Sequence, residues 1–187
     1  NNPEHHTVTS LGLATVFVAF QIYFDFSGYS DIAIGSARTM GFKLMTNFNR
    51  PYFSKSIAEF WKRWHISLST WFRDYLYISL GGNRVSKPRW LLNLFITFVI
   101  SGFWHGANWT YVLWGAFNGG YLIWPHLFDI SKKEFIARRR LIKNSGVVTR
   151  IVITFLLTCF AWIFFRSNSI SDSFEIIHRI FYNHGTL

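Results

Sequence analysis

LLNLFITFVISGFWHGANWTYVLWGAFNGGYLIW, residues 91–124, is the stretch on which the fold of this chain turns. It is apolar on both sides of a polar interruption, SGFWHGAN at 101–108, and it lies between two windows rich in lysine and arginine. Arg38, Lys43, Arg50, Lys55, Lys62, Arg63, Arg73, Arg84, Lys87 and Arg89 precede it, opposed in that window only by Glu59 and Asp74; Lys132, Lys133, Arg138, Arg139, Arg140, Lys143 and Arg150 follow it. Loops of this kind between hydrophobic spans stay on the cytoplasmic side. With both windows in one compartment, the stretch has to enter the bilayer and return. It is short for two crossings of roughly 17–25 residues each, which leaves two short tilted helices or a re-entrant pair with its turn inside the membrane. Gly102 and Gly106 accommodate a break, and non-helical backbone at that depth survives only where protein or a water-filled cavity surrounds it. His105 is then expected at the bottom of such a cavity.

Two further apolar stretches flank this one. Val147–Phe165 carries a single charge, Arg150, and reads as a span over 147–165; Leu11–Phe26 continues past Asp25 and reads as a span over 11–36. Asp25 and Asp31 are expensive in hydrocarbon and are expected to face protein or water. Half of the 187 residues are hydrophobic, 20% are aromatic and only 15% are charged, which excludes a disordered tail and a collagen-like repeat. The formal charge of +10 reads as membrane topology, with no nucleic-acid partner implied.

Between Ser54 and Leu80 the pattern is helical without being transmembrane. Ile57, Phe60, Trp61, Trp64, Leu68, Trp71, Phe72, Tyr75 and Leu76 recur at steps of three and four, with Lys55, Glu59, Lys62, Arg63, Ser69, Thr70 and Arg73 between them. This predicts one amphipathic helix over 54–80, lying at the membrane interface or packed across the mouth of a bundle, stopped by Gly81 and Gly82 and followed by a loop marked by Pro88. Residues 1–10 form a polar lead-in and 129–146 a basic loop. No secretory signal is visible, the first residue is not Met, and the chain reads as a piece of a longer membrane protein. The expected class is an all-α, polytopic membrane protein fragment: transmembrane helices, an amphipathic interfacial helix and a re-entrant or short helix pair.

The chemistry falls to histidine. Cys159 lies within an apolar span, where a small buried thiol is the ordinary reading; it makes neither a disulfide nor a metal site. His5, His6, His178 and His184 lie near the termini and read as solvated, and His126 follows Trp124-Pro125 as an interfacial residue. His65, in WKRWHISLSTWFRDYLY, has two readings, a packed hydrogen-bonded residue or a chemical one. His105 is an ionisable group between glycines at membrane depth, suited to proton transfer, against the alternative of a turn histidine bonding a carbonyl. Neither has a partner at HxxxH or HExxH spacing, so no metal site is expected. Tyr29, Ser30 and Asp31 read as a hydrogen-bonding network near a helix break at Gly28.

QIYFDFSGYSDIAIG from Gln21, NFNRPYFSKSIAEFWKRWHISLSTWFRDYLYISLGGNR from Asn47 and SGFWHGANWTYVLWGAFNGGYLI from Ser101 together resemble the membrane-bound O-acyltransferase family, and within it the bacterial alginate O-acetyltransferase branch. A weaker echo is AWIFFRSNSISDSFEII, and the resemblance covers more than half of the chain. It implies that His105, in the WHG motif, and His65, in the RWHISLS motif, are the catalytic histidines. It implies an acyltransferase of the bacterial inner membrane, multi-pass, moving acetyl from acetyl-CoA or an acyl-carrier thioester on the cytoplasmic side towards hydroxyls of an extracellular polysaccharide, with extracytoplasmic acetyl-transfer partner proteins. No bound cofactor is implied; the thioester is a substrate.

On that reading His105 is the general base, His65 orients acceptor or donor, and Asn108 either bonds the developing oxyanion or has a helix-capping or packing role. Arg63, Arg73 and Arg84 are candidates for the phosphates of CoA, or are simply solvated or lipid-facing charges. The related branch that transfers D-alanine to teichoic acid from a carrier protein shares both histidine motifs. A membrane scaffold or transport component without acyl chemistry is the alternative from another class.

Overall fold

A computed structural model describes residues 7–127 and 146–182. His5, His6, His184 and the basic loop up to residue 145, with Lys132, Lys133, Arg138, Arg139, Arg140 and Lys143, lie outside the described residues. Among the described residues the fold is all helical, without strands.

Helix α1 is Val8–Thr39. Thr7 caps its start by accepting from the Ser10 amide, and its end closes with the Gly41 amide on the Arg38 carbonyl and the Phe42 amide on that of Ala37. Gly41 sits at φ 85 to make that closure, the left-handed exit that glycine allows. The helix runs straight through Gly28, where the sequence suggested a break. Its 32 residues reach roughly 48 Å at 1.5 Å per residue, longer than the bilayer core. Ser30 is buried, whereas Asp25, Tyr29 and Asp31 are exposed in this chain.

The single amphipathic helix expected over 54–80 is broken into pieces. A 3-10 turn, Pro51–Phe53, leads to α2, Ile57–Trp61; α3, Ile66–Trp71, then continues into a π-helical segment, Phe72–Tyr77. The break falls at His65, a non-glycine residue in the left-handed region at φ 42 and ψ 55. Two forces favour it. Phe60 and Trp64 stack at 5.4 Å and turn inward onto Tyr52 and Trp162, and the backbone freed by the break pairs with the preceding loop, Asn49 N–H to the Arg63 carbonyl and Ile66 N–H to that of Asn47.

Gly81 and Gly82, both at positive φ, end the segment as expected. Pro88, however, belongs to the first turn of the next helix, where its missing N–H costs nothing. That helix is α4, Lys87–His105; three residues later α5, Trp109–Leu127, returns antiparallel to it. Each has 19 residues, roughly 28 Å long. The two backbones touch at glycine: a Cβ on Gly102 would strike the Tyr111 carbonyl oxygen, and one on Gly115 that of Phe98. Gly115 and Gly119 are spaced four apart, the small-residue stripe that lets membrane helices close on each other. The stretch thus enters and returns as two helices of equal length joined by a tight turn.

Helix α6 is Val147–Arg166 and α7, amphipathic, is Ile170–Tyr182. By length and composition α1 and α6 are able to cross a membrane. The core joins α1, α2, α5 and α6 through aromatic and small side chains: Ala19, Phe60, Trp64, Trp114, Cys159, Ala161, Trp162 and Phe164 are buried together. Ring contacts, stacked except for the tilted Trp64–Trp162 pair, run from Tyr52 through Phe60 and Trp64 to Trp162 and on to Trp114.

Candidate active site

His105 is the last residue of α4. Its imidazole is half-buried within an aromatic collar, edge-on to Trp114 at 5.1 Å and to Phe165 at 5.3 Å, with Trp104 at 5.1 Å. The chain leaves it through Gly106, whose missing side chain makes room for the Tyr111 ring. Asn108 immediately precedes α5: its side-chain Oδ1 accepts from the Thr110 amide at 3.1 Å and its Nδ2 donates to the Asn168 carbonyl at 2.9 Å. Asn108 therefore works as a cap and as a tie to the α6–α7 corner.

His65 arrives from the other side, on the break between α2 and α3. Its ring meets Phe26 of α1 edge-on at 4.6 Å, and its Nδ1 lies 3.5 Å from Ser67 Oγ. It lies outside the two helices able to cross a membrane. Burial pushes its pKa down from 6.5 to about 4, and the nearby His105 adds to that, so the ring is neutral at ordinary pH.

Both histidines line one cavity of about 750 Å³. Its walls come from α2, α3, the π-helical segment, α4 and α5: Trp61, Trp64 and Leu68 on one side, Leu94, Thr97, Phe98 and Ser101 on the other. Lys62, Arg73, Tyr77, Asn83 and Trp90 also line it. The lining is mainly apolar with few polar groups, the usual make-up of a small-molecule site.

The remaining sequence candidates divide. Arg73 reaches the cavity, although it is exposed and holds Asp74 in a bidentate pair at 2.7 and 3.2 Å. Arg63 is bound to Glu59 at 2.6 Å and, like Arg84 and Asn108, is not part of the cavity wall. His126 packs on Trp90, behind the cavity wall, and His178 on Tyr182; neither lines the cavity. Cys159 is buried as a free thiol. Among the described residues no group of three His, Cys, Asp or Glu is placed to hold a metal ion. Sequence reasoning missed Asn47 and Ser67, which hold the His65 break; their partnership spans 20 positions and leaves no local signal.

The family model of the membrane-bound O-acyltransferases matches residues 3–167, nearly the whole chain and both histidine elements. The chain belongs to this family. Among its relatives, a probable alginate O-acetylase of Pseudomonas aeruginosa is 46% identical over 178 residues, 95% of this chain and 32% of that protein. A peptidoglycan O-acetyltransferase of Helicobacter pylori is 39% identical over 165 residues, 88% of this chain and 30% of that protein. A teichoic acid D-alanyltransferase of Bacillus subtilis is 35% identical over 153 residues, 77% of this chain and 38% of that protein. The chain thus spans about a third of the length of the curated relatives it matches, and its membrane-bound O-acyltransferase region carries both the WHG and the RWHISLS motifs.

Proposed function

We propose that the protein to which this chain belongs is a multi-pass inner-membrane O-acetyltransferase. It moves acetyl from a cytoplasmic thioester, acetyl-CoA or an acyl-carrier protein, towards hydroxyls of an extracellular polysaccharide of alginate type, with extracytoplasmic acetyl-transfer proteins as partners. The observation that carries the reading is the convergence of His65 and His105, from separate elements, on one apolar-walled cavity in a chain of the acyltransferase family. The alginate O-acetylase relatives support the substrate class.

In the proposed step the neutral His105 imidazole takes the proton of an acceptor hydroxyl as its oxygen attacks the thioester carbonyl. The C–O bond forms, the C–S bond breaks, and the departing thiolate recovers the proton from the imidazolium. His65, neutral as well, orients the hydroxyl or the thioester. An apolar wall excludes water, which would otherwise hydrolyse the thioester. Arg73 and Lys62 are the cations placed to meet an anionic donor at this cavity.

The test is ester-linked acetate on the host's extracellular polysaccharide, comparing the full-length protein with a His105→Ala variant that still inserts. Loss of acetate is expected. Unchanged acetate overturns the acetyl reading; the D-alanyltransferase relatives then make D-alanyl ester on teichoic acid the product to assay. If neither ester depends on His105, the scaffold alternative stands.

A further inference from the structure

Ser67 Oγ lies 2.6 Å from Asn47 Oδ1 and 3.5 Å from His65 Nδ1, the latter at the long end for a hydrogen bond. A hydroxyl has one proton to give, so the direction of one contact decides the other. The orientation of the Asn47 amide settles it. The Ser67 backbone N–H donates to Asn47 Oδ1 at 3.2 Å, which only a carbonyl oxygen can accept, and Asn47 Nδ2 donates to the buried Ser30 Oγ at 3.3 Å. An amide turned the other way would set N–H against N–H. Asn47 Oδ1 therefore faces Ser67 as an acceptor, and the Ser67 proton is committed to it. Towards His65, Ser67 Oγ has only lone pairs to offer.

We propose that Asn47 and Ser67 are positioning residues that hold His65 as its Nδ1–H tautomer and leave Nε2 as the nitrogen that accepts a hydrogen bond from an acceptor hydroxyl in the cavity. The loop bearing Asn47 is itself pinned, since its carbonyl accepts from the Ile66 amide at 3.0 Å and the Asn49 amide donates to the Arg63 carbonyl at 2.9 Å. The chain from Ser30 on α1 through Asn47 and Ser67 thus ties His65 to a helix remote in sequence. It also gives the left-handed break a purpose, because the break sets His65 beside Ser67 while keeping it on the cavity wall. The identity of the hydroxyl rests on the acyl-transfer reading; the tautomer does not.

The experiment uses the full-length protein in lipid nanodiscs with 15N-histidine, the His65 signals being assigned by their disappearance in His65→Gln. A protonated Nδ1 and an unprotonated Nε2 are expected in the wild type; the reverse overturns the proposal without any variant having to fold. Ser67→Ala is expected to mix the tautomers and to lower kcat for acetyl transfer roughly three- to tenfold, the range a neutral hydrogen bond carries, with KM unchanged. Ser67→Thr, which keeps the hydroxyl, restores both. A Ser67→Ala protein whose His65 stays wholly Nδ1–H also overturns it. If acetate proves independent of His105, the functional reading fails while the 15N signature still decides the tautomer.

Discussion

His65 is a strained residue in backbone and in charge. A side chain at φ 42 pays about 1–2 kcal/mol for the left-handed conformation, which glycine avoids. His65→Gly is therefore expected to be more stable than His65→Ala by about 1 kcal/mol in thermal unfolding of the full-length protein, although both remove the imidazole. The lowered pKa has a defined sign. Between 6.5 and about 4 the unfolded chain holds the His65 proton and the folded chain does not, so stability rises with pH across that window and is level above it. Thermal midpoints are expected to fall as pH is lowered from 6.5 towards 4, and part of that fall should vanish in His65→Gln. The same histidine shows how far single residues were readable: its chemistry was visible in RWHISLS, but the Ser30, Asn47 and Ser67 contacts that orient it come from 2 to 35 positions away.

Among the elements, the α4–α5 hairpin depends most on the absence of side chains. Gly102 and Gly115 face carbonyl oxygens of the opposing helix at distances no Cβ tolerates, so Gly115→Leu is expected to separate the pair and abolish recovery of folded protein from detergent. Gly120, with nothing within 4 Å, is expected to accept Ala without loss, which makes it the control. Asn93 is the other support of this region: buried in α4, it donates to the Leu80 and Gly82 carbonyls at 3.0 and 3.2 Å and so fastens the glycine turn. Asn93→Ala is expected to cost about 1–3 kcal/mol, read as a lower midpoint. Elements were legible where one face meets one environment, as in α1 and α6. Residues 54–80 misled because three- and four-residue spacing of aromatic side chains describes each short piece as well as one long helix.

Across the whole molecule the decisive feature is the cavity between two segments that meet only in three dimensions. Ser101 and Thr97 line it one and two turns before His105 on α4. Ser101→Phe is expected to occupy it and reduce the proposed acetyl transfer by about a hundredfold, the effect of displacing reacting atoms by about 1 Å. Insertion and expression should be unchanged, and the assay is polysaccharide acetate beside an immunoblot of the membrane fraction. The aromatic run from Tyr52 to Trp114 fixes the wall that carries Trp64 against α5 and α6, because rings in stacked and tilted contact have few alternative packings.

Hydropathy, charge placement and motif order by themselves determined a helical membrane chain, its two long apolar helices, the returning pair around 101–108, and the family. Those properties are local: each follows from which side chains stand a few positions apart and from the cost of burying their charge. The break at His65, the capping role of Asn108, the placing of Arg73 on the cavity wall without Arg63 and Arg84, and the Asn47–Ser67 support were decided by tertiary structure. The break, the Asn108 tie and the Asn47–Ser67 support depend on hydrogen bonds or ring contacts between segments far apart in sequence, and the place of Arg73 on how the broken helix faces α4; no periodicity records such a partner.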